Sequence, residues 1–408
     1  MAIVRGRLSH TLYEDFEYLL KNVFLSMPSN TSNIDAFQKR FKTEIDRRFC
    51  VSFQYARTGL YFVLKSMNLP KGTKVIMPSI MIKAYLDVVL DLDLVPVFVD
   101  NDTSTGGPSI SSLKQEIDGG ARVFVLVYLF GIVPNLNDIE KVVKQNGVFV
   151  IEDFSQAMGG SFAEIKAGSF GDVSIYSSSA VKIIDTFGGG HVFTDDREIF
   201  ESLENYKNKL PQPSKLFLSK KIFKSVIRNL VSNKFVFTVL IFPVMKVLNY
   251  LGKDSFVRFV GKRSFSPIGT LPRDWFQQFS EIQARMGIQR LNNYLSENSI
   301  TLGISSKYDE AIPEAARLRG PFESNVFRWQ YIVYLEDFKK ARKFYLRHGI
   351  DVAQTSLIEL SNLPEYGWTL NNPGARQIFT QGTYLPFYKE LSKKSIKKII
   401  ATTGDLIN

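Results

Sequence analysis

Between residues 74 and 151 the chain alternates short apolar runs with helical patterns. The apolar runs are four to six residues long, at Lys74–Met77, Leu94–Val99, Val123–Tyr128 and Val148–Ile151. Continuous apolar strands joined through helices are typical of a parallel sheet covered on both faces. Ligands in such sheets lie beyond the carboxyl ends of the strands. We therefore expect polar side chains at those ends, Asp100, Tyr128 and Asp153, to lie near any functional site.

The length of 408 residues predicts more than one folded unit. We expect an α/β protein in which residues 1–204 form a large domain, with a mostly parallel central sheet and flanking helices. The alternation of strands and helices ends before 205–270, and we interpret this segment as a helical insertion. Residues 271–408 begin with an amphipathic helix at Phe276–Leu295 and predict a smaller α+β C-terminal domain.

Cysteine and histidine are scarce, which excludes several classes of site. Cys50 is the single cysteine and the three histidines are far apart, so neither a disulfide framework nor a metal site is expected. The N-terminal residues lack the apolar run of a secretory signal. The longest apolar stretch, near Phe235–Met245, is shorter than the roughly 20 residues that cross a bilayer. These features predict a cytoplasmic protein without a transmembrane helix.

The net charge of +11 is concentrated in one segment. Residues 207–263 contain 13 Lys and Arg against the single acid Asp254, which gives +12. Within this segment, Lys215–Val231 has a helical apolar pattern (Leu216, Ile222, Phe223, Val226, Ile227, Leu230), with its cations Lys220, Lys221, Lys224 and Arg228 mostly on the other face. Such a helix either packs on the protein or a partner with its lysines solvated, or lies on an anionic membrane. No nucleic-acid recognition motif accompanies the charge, so nucleic-acid binding is not expected.

The stretch from Val150 to Thr194 combines the groups that a polar cofactor requires. Its first apolar strand stops at Asp153, a later strand ends in three serines from Ser177, and Lys182 then precedes the glycines 188–190. A lysine usually stays on the surface, whereas a catalytic amine needs a desolvated setting that lowers its pKa. Spacing alone does not decide between these two interpretations of Lys182.

A second candidate is the small-residue turn Ala56–Gly59, which leads into a predicted helix at Leu60–Met67. The N-terminus of a helix can bind an anion on its free backbone amides. This pattern alone does not separate a phosphate site from an ordinary turn. The Gly-x-Gly-x-x-Gly fingerprint is missing after the strands, which argues against a nicotinamide enzyme.

The blocks IEDFSQAMGG and GSFGDVSIYSSSAVK resemble the signature of the DegT-type sugar aminotransferases, which use pyridoxal phosphate (PLP) on fold type I. The resemblance implies that Lys182 is the lysine bonded to PLP and that Asp153 pairs with the pyridine nitrogen. It also implies that Gln156 lies near the phenolic oxygen and that Ser177 binds the phosphate. Arg57 and Thr58 fall where the family's Gly-Thr-Ser/Ala turn binds the same phosphate.

The resemblance implies transfer of an amino group from an amino acid, usually glutamate, to a keto sugar, with Lys182 as general acid and base. A nucleotide-linked sugar, a role in surface polysaccharide, lipopolysaccharide or glycolipid synthesis, and a homodimer are further expectations. Family members with dehydratase activity have histidine at the lysine position, so Lys182 favours transamination. The alternative is a catalytically silent relative that binds PLP or a sugar as a regulator or scaffold.

Three departures from the family pattern motivate that alternative. Ile82 stands where an aromatic residue often stacks on the PLP ring. Phe276-Gln277-Gln278 replaces an Asn-x-Arg whose Asn contacts the partner subunit's phosphate, and Met158 replaces a histidine. The 207–263 segment adds a predicted contact with the inner face of a membrane. The pattern therefore predicts the reaction more closely than the substrate.

Overall fold

The computed structural model describes residues 1–24, 32–254 and 271–407. Its α-helices are α1 (Leu12–Phe24), α2 (Ser32–Glu44), α3 (Ala56–Ser66), α4 (Lys83–Asp91), α5 (Ile110–Asp118), α6 (Leu136–Gln145), α7 (Arg197–Asn208), α8 (Lys215–Ser232), α9 (Lys234–Val236), α10 (Phe242–Tyr250), α11 (Glu281–Ala311), α12 (Phe338–Arg347), α13 (Pro373–Gln381) and α14 (Lys393–Ile407). A π-helical turn, Phe237–Ile241, joins α9 to α10.

The strands are short and most of them lie in the first half of the chain. They are β1 (Phe49–Phe53), β2 (Lys74–Pro78), β3 (Ile80–Met81), β4 (Val95–Val99), β5 (Val123–Val127), β6 (Phe149–Asp153), β7 (Ser161–Phe162), β8 (Ile165–Lys166), β9 (Val173–Ser177), β10 (Gly190–Thr194), β11 (Ser324–Asn325), β12 (Tyr331–Tyr334), β13 (Ala353–Gln354), β14 (Ile358–Glu359), β15 (Asn362–Leu363), β16 (Trp368–Thr369) and β17 (Gly382–Leu385).

Within the described residues, seven strands form one central sheet in the order β1-β10-β9-β6-β5-β2-β4. The run from β9 to β4 is parallel, and only β10 is antiparallel to both of its neighbours. Strands β1, β9, β6, β5, β2 and β4 therefore all end at the same edge of the sheet. This arrangement confirms the predicted mostly parallel α/β sheet.

Two apolar cores cover the two faces of this sheet. In β5, Val123, Val125 and Val127 face the core shared with α3, α4 and α7, whereas Phe124 and Leu126 face the core shared with α2, α5, α6 and α11. Successive strand side chains point to opposite faces, so both faces must be apolar when helices cover both. That requirement explains the uninterrupted apolar runs in the sequence.

The two acids that end β6 have separate roles. Glu152 is fully buried and its carboxylate accepts the backbone N–H groups of Gly168, Phe170 and Gly171 at 2.5, 2.9 and 3.0 Å. Burial raises the pKa of Glu152, and the two glycine N–H groups oppose that rise. Glu152 therefore fixes the GSFGD turn, while Asp153, one residue on, faces the sheet edge.

Two predicted helix starts are wrong by several residues. The segment Ala56–Gly59 is the first turn of α3 itself, because the N–H groups of Thr58 and Gly59 already bond to the carbonyl of Tyr55. The helix predicted from Phe276 begins at Glu281, where Ser280 and Gln283 form a capping box. It also continues to Ala311, well past the predicted end.

A smaller sheet, β12-β17-β13, lies in the C-terminal part with α12 and α14. The N-terminal segment joins this part of the molecule, because Ile3 forms a bridge with Ile350 and Arg5 pairs with Asp351 at 2.7 Å. The predicted division at 1–204, 205–270 and 271–408 stays a prediction.

The predicted basic insertion folds as α8 to α10, and its last part, 255–270, lies outside the described residues. Helix α8 does not have the predicted single apolar face. Ile222 and Val226 are buried, whereas Phe223 and Ile227 are exposed. Within the described ranges, no single helix is long and apolar enough to cross a membrane. The pair Lys215–Ser232 and Lys234–Tyr250 meets those criteria only together, with a bend of 59°.

Candidate active site

The candidate site lies at the edge where the parallel strands end. Asp153 ends β6, Ser177 ends β9, and α3 begins just after β1. The loop 178–189 crosses this edge and returns as β10, close to the start of α3. Gly190 permits this approach, since a Cβ there would lie 2.1 Å from the backbone N of Ala56. The sheet thus brings together groups that are far apart in the chain.

Lys182 is half-buried in that loop, near Asp153. Burial lowers the pKa of the Lys182 amine to about 8, and the Asp153 carboxylate opposes this effect. This partly desolvated position favours the catalytic interpretation of Lys182 over the surface one. An amine in this setting is partly neutral near neutral pH, which a nucleophile or base requires.

Trp329, which comes from the distant C-terminal part, fixes the backbone next to Lys182. Its indole N–H donates to the carbonyl of Val181 at 2.6 Å, and the Lys182 Nζ lies 3.9 Å from the centroid of its ring. Val181 has a φ of 76°, which is strained for a β-branched residue. The tryptophan therefore stabilises an unfavourable turn that points Lys182 into the site.

Asp153 and Ser177 are connected through Ser155, which lies between them. The N–H of Ser155 donates to Asp153 Oδ1 at 2.9 Å, and the Ser155 hydroxyl accepts the N–H of Ser177 at 2.8 Å. The fully buried Tyr85 hydroxyl also faces Asp153, and burial followed by the Asp153 charge raises the pKa of Tyr85. Asp153 is thus fixed as an acceptor at the centre of the edge.

Gln156 is buried beside this group with a defined orientation. Its side-chain Oε1 accepts the backbone N–H of Phe130 at 2.8 Å. The amide Nε2 is therefore the end that can donate to a ligand. The carbonyl of Phe130 in turn accepts the N–H of Trp329 at 3.0 Å, which connects Gln156 to the residue under Lys182.

The two residues predicted from the phosphate turn differ in what they can do. The Arg57 guanidinium lies between the rings of Tyr55 and Trp275, 4.3 and 4.2 Å from their centroids. Burial lowers the pKa of Arg57. Thr58, in contrast, donates its hydroxyl to the Trp275 carbonyl at 2.7 Å and its N–H to the Tyr55 carbonyl at 3.1 Å. Thr58 thus holds the start of α3 against Trp275, and its predicted contact with a phosphate stays a prediction.

A buried charge cluster outside the predicted set fixes the lysine loop. His10 lies between Asp15 and Asp185, with N–O distances of 2.9 and 3.1 Å, and all three side chains are inaccessible to solvent. Burial alone would lower the pKa of His10, but the carboxylates of Asp185 and Asp15 outweigh it and raise that pKa to about 9. Asp185 also accepts the backbone N–H groups of Val181 and Phe187.

Three parts of the site could not be identified from the sequence, for different reasons: Trp329, Tyr85 and the His10 cluster. Tyr85 stands three residues beyond Ile82, which is an exposed residue at the N-cap of α4. Trp329 and His10 join the site only through the tertiary fold, and each is an isolated residue in its own segment. Asp185, an acid three residues after Lys182, is a local signal in the sequence that could have indicated a cationic partner.

The fold and the site together define a fold-type-I PLP-dependent class of enzyme. The model of the DegT/DnrJ/EryC1/StrS aminotransferase family matches residues 11–216, which is half of the chain, and the chain belongs to that family. Its similarity to GDP-perosamine synthase from Escherichia coli O157:H7 is 27% identity over 44% of this chain and 49% of that protein. An L-glutamine:2-deoxy-scyllo-inosose aminotransferase from Streptomyces kanamyceticus is 28% identical over 42% of this chain and 40% of its own. The chain thus spans about half the length, or less, of these curated relatives.

The likeness to solved structures extends over nearly the whole chain. The sugar aminotransferase CalS13 from Micromonospora echinospora aligns with a TM-score of 0.72 and 17% identity, covering 98% of this chain and 97% of that one. Identity at this level shows the fold alone. The predicted fold class is therefore confirmed, including the C-terminal part that the family model does not match.

The His10 cluster predicts a pH-dependent stability. Because the folded pKa of about 9 exceeds the ordinary 6.5, the cluster stabilises the fold fully below pH 6.5 and loses this effect as the pH rises through 9. The contribution is on the order of 3 kcal/mol. We expect the thermal midpoint to fall between pH 6.5 and 9, and this fall to be absent in His10→Gln. The matched control His348→Gln should keep it, and an unchanged pH profile in His10→Gln would contradict the assignment.

Proposed function

We propose that this protein is a PLP-dependent aminotransferase that moves an amino group from glutamate to a keto sugar. The observation that carries the proposal is Lys182, a half-buried amine of lowered pKa close to the carboxylate of Asp153. The family, in which the named relatives act on sugars or a cyclitol, supports the same reaction class.

The chemistry of the donor set fits PLP. Lys182 would hold its aldehyde carbon and Asp153 its pyridine nitrogen, and Gln156 has a free Nε2 for its phenolic oxygen. Ser177 and Arg57 would bind its phosphate. The buried Tyr85 hydroxyl, which lacks a well-aligned hydrogen-bond partner among the described residues, gives this edge a further polar group.

The roles of the chain's own residues follow from their surroundings. When bound, PLP supplies an electron sink for the pair left at the donor's Cα. Lys182, whose pKa is lowered to about 8, would move the proton between that carbon and the carbon that carried the aldehyde of PLP. Asp153 keeps the positive charge of a ring nitrogen favourable, and Trp329 fixes Lys182 in position.

A cavity beside Lys182 supports an anionic amino donor. Four buried polar atoms around it lack partners within the described residues: Arg7 Nε, Ser9 Oγ, Arg328 Nη1 and Gln330 Oε1. Unpartnered buried polar atoms carry a desolvation penalty unless a ligand satisfies them. The two arginine nitrogens and the serine hydroxyl can donate to an anion, whereas Gln330 Oε1 can only accept. Arg328 is 6% exposed, and burial lowers its pKa. A carboxylate of glutamate would satisfy the free Nη1, since a guanidinium binds carboxylate well.

The acceptor, in our proposal, is a nucleotide-linked keto sugar used for a surface polysaccharide or glycolipid. The name of the Escherichia coli relative, which specifies a GDP-linked sugar, supports this choice. The predicted homodimer and cytoplasmic location stay predictions.

Reconstitution with PLP tests the proposed function. We expect protein-bound PLP to give an absorbance band near the boundary between the ultraviolet and the visible range. The Lys182→Ala variant should lack this band. Transfer from glutamate to a panel of keto sugars should fall by about 10²-fold or more in this variant. A purified chain that gives no PLP spectrum would contradict the proposal. A PLP spectrum without transfer to any sugar would instead support the silent regulator.

The donor pocket predicts a selective kinetic effect. Arg328→Gln should raise the KM for glutamate about 10- to 100-fold with a smaller effect on the KM for the sugar, because one charge-assisted hydrogen bond is lost. The control Arg319→Gln changes an exposed arginine that pairs with Glu314 and should leave both constants unchanged. A rise in the sugar KM alone would place the sugar, rather than the donor, at Arg328.

We also propose that α8 to α10 contacts an anionic membrane surface. The exposed apolar residues recur at helical spacing and are Leu216, Phe223, Ile227 and Leu230 in α8 and Val244 and Val247 in α10. Exposed Lys220, Lys224 and Arg228 lie at four-residue spacing along the same helix. An apolar row beside a cationic row is complementary to lipid tails and anionic headgroups.

Vesicle co-sedimentation tests this surface. The chain should bind vesicles that contain phosphatidylserine, and Phe223→Ser with Ile227→Ser should weaken binding at least tenfold, because exposed apolar area is removed. The wild type and this variant should have the same thermal midpoint. Equal binding of both proteins, or a change in oligomeric state without any change in vesicle binding, would assign the surface to a partner subunit instead.

A further inference from the structure

One lysine of the insertion departs from the others. Lys220 and Lys224 are exposed, whereas Lys221 is half-buried and turned toward the candidate site. Its Nζ lies 4.0 Å from the centroid of the Tyr55 ring, and Tyr55 is the N-cap residue of α3. Lys221 does not lie on the predicted solvated face of α8, because α8 packs against the protein on this side.

Packing on both sides of Lys221 fixes this position. Leu218 and Ile222, one turn apart, lie in one apolar cluster with Phe187 of the lysine loop. The Asn22 side chain of α1 donates to Ser219 Oγ at 2.9 Å, and Asn229 donates to Asp15 at 2.7 Å. The location of the Lys221 amine is thus set by the core and by the His10 cluster.

Lys221 and Arg57 are two neighbouring cations without an ion-pair partner among the described residues. In the described part of the chain, no carboxylate lies within ion-pair distance of either. Burial, and then the charge of Arg57, lower the pKa of Lys221 to about 7, and the exposed Asp274 opposes this only in part. Two like charges in a partly desolvated position are unfavourable unless an anion joins them.

The surroundings leave this pair open to a ligand. The side chain of Tyr55 makes no capping hydrogen bond at the start of α3, beside this pair. Gly188 has no side chain there, and a Cβ would lie 2.6 Å from Lys221 Nζ. When the Gln54 amide is oriented to satisfy both of its ends, its oxygen accepts from Lys221 Nζ at 3.1 Å. Lys221 retains further N–H donors for an anion.

We propose that Lys221 of the insertion helix and Arg57 together bind a phosphate dianion, that of PLP, from within the same chain. This inference rests on the proposed function. It gives the insertion a direct part in cofactor binding, at the position where Phe276-Gln277-Gln278 departs from the family's Asn-x-Arg pattern. The same chemistry would also suit inorganic phosphate or the diphosphate of a nucleotide sugar, so the experiment must separate these sources.

The test compares PLP with pyridoxal, which lacks the phosphate. The full chain without cofactor is titrated with each compound and followed by absorbance. Lys221→Met should weaken PLP binding about tenfold or more, because a charge-assisted contact is lost, and should leave pyridoxal binding unchanged. The control Lys209→Met, at an exposed lysine that precedes α8, should leave both affinities unchanged. Arg57→Gln should also weaken PLP more than pyridoxal.

Other outcomes overturn the proposal. Equal losses of PLP and pyridoxal affinity in Lys221→Met would indicate a structural role, and unchanged PLP affinity would exclude Lys221 from the phosphate site. Weakening of a nucleotide sugar alone would assign the cations to the substrate. If the wild type binds no PLP, the proposed function fails separately. A thermal stabilisation by inorganic phosphate that Lys221→Met removes would then still show an anion site, and its absence would exclude one.

Discussion

The ion pairs of His10 with Asp15 and Asp185 are the interaction on which the candidate site depends. Asp185 lies in the loop that carries Lys182, and its carboxylate also accepts the N–H groups of Val181 and Phe187, two residues with positive φ. A strained loop of this kind persists only where its surroundings determine it. Here a buried histidine of raised pKa, from the N-terminal segment, provides the charge that keeps Asp185 buried. The His10 cluster thus helps to set the position of the Lys182 amine without contacting it.

The same cluster connects the insertion to the site. Asn229 of α8 donates to Asp15 of the cluster, and Ile222 of α8 packs with Phe187 of the lysine loop. One side of α8 therefore contributes to the core and presents Lys221 near Arg57, while the other exposes an apolar row. A single helix that faces the cofactor region and a proposed membrane surface gives a physical route by which membrane contact and cofactor binding can influence each other.

The sequence predicts the parts of this molecule whose cause is local. Apolar runs with no polar interruption indicate strands buried on both faces, and the parallel sheet with Asp153 and Ser177 at one edge follows from that pattern. Lys182 could be placed in the site only through the family resemblance, because its burial comes from the distant Trp329. The contacts of Thr58 could not be predicted from the sequence either, since its hydroxyl bonds to the carbonyl of the distant Trp275. The orientation of Lys221 also depends on tertiary packing. The apolar period of α8 predicts one face for Ile222, Val226, Phe223 and Ile227, but the fold buries only the first two.

The central claim is that Lys182 is the amine bonded to PLP. Two half-buried amines at this edge have a lowered pKa, which is about 8 for Lys182 and about 7 for Lys221. Either could in principle form the bond to PLP. Reduction of the PLP-loaded chain with borohydride, followed by proteolysis and mass spectrometry of the peptides, distinguishes them directly. We expect the phosphopyridoxyl group on the peptide that contains Lys182. Its attachment to Lys221, or to no single lysine, would contradict the account.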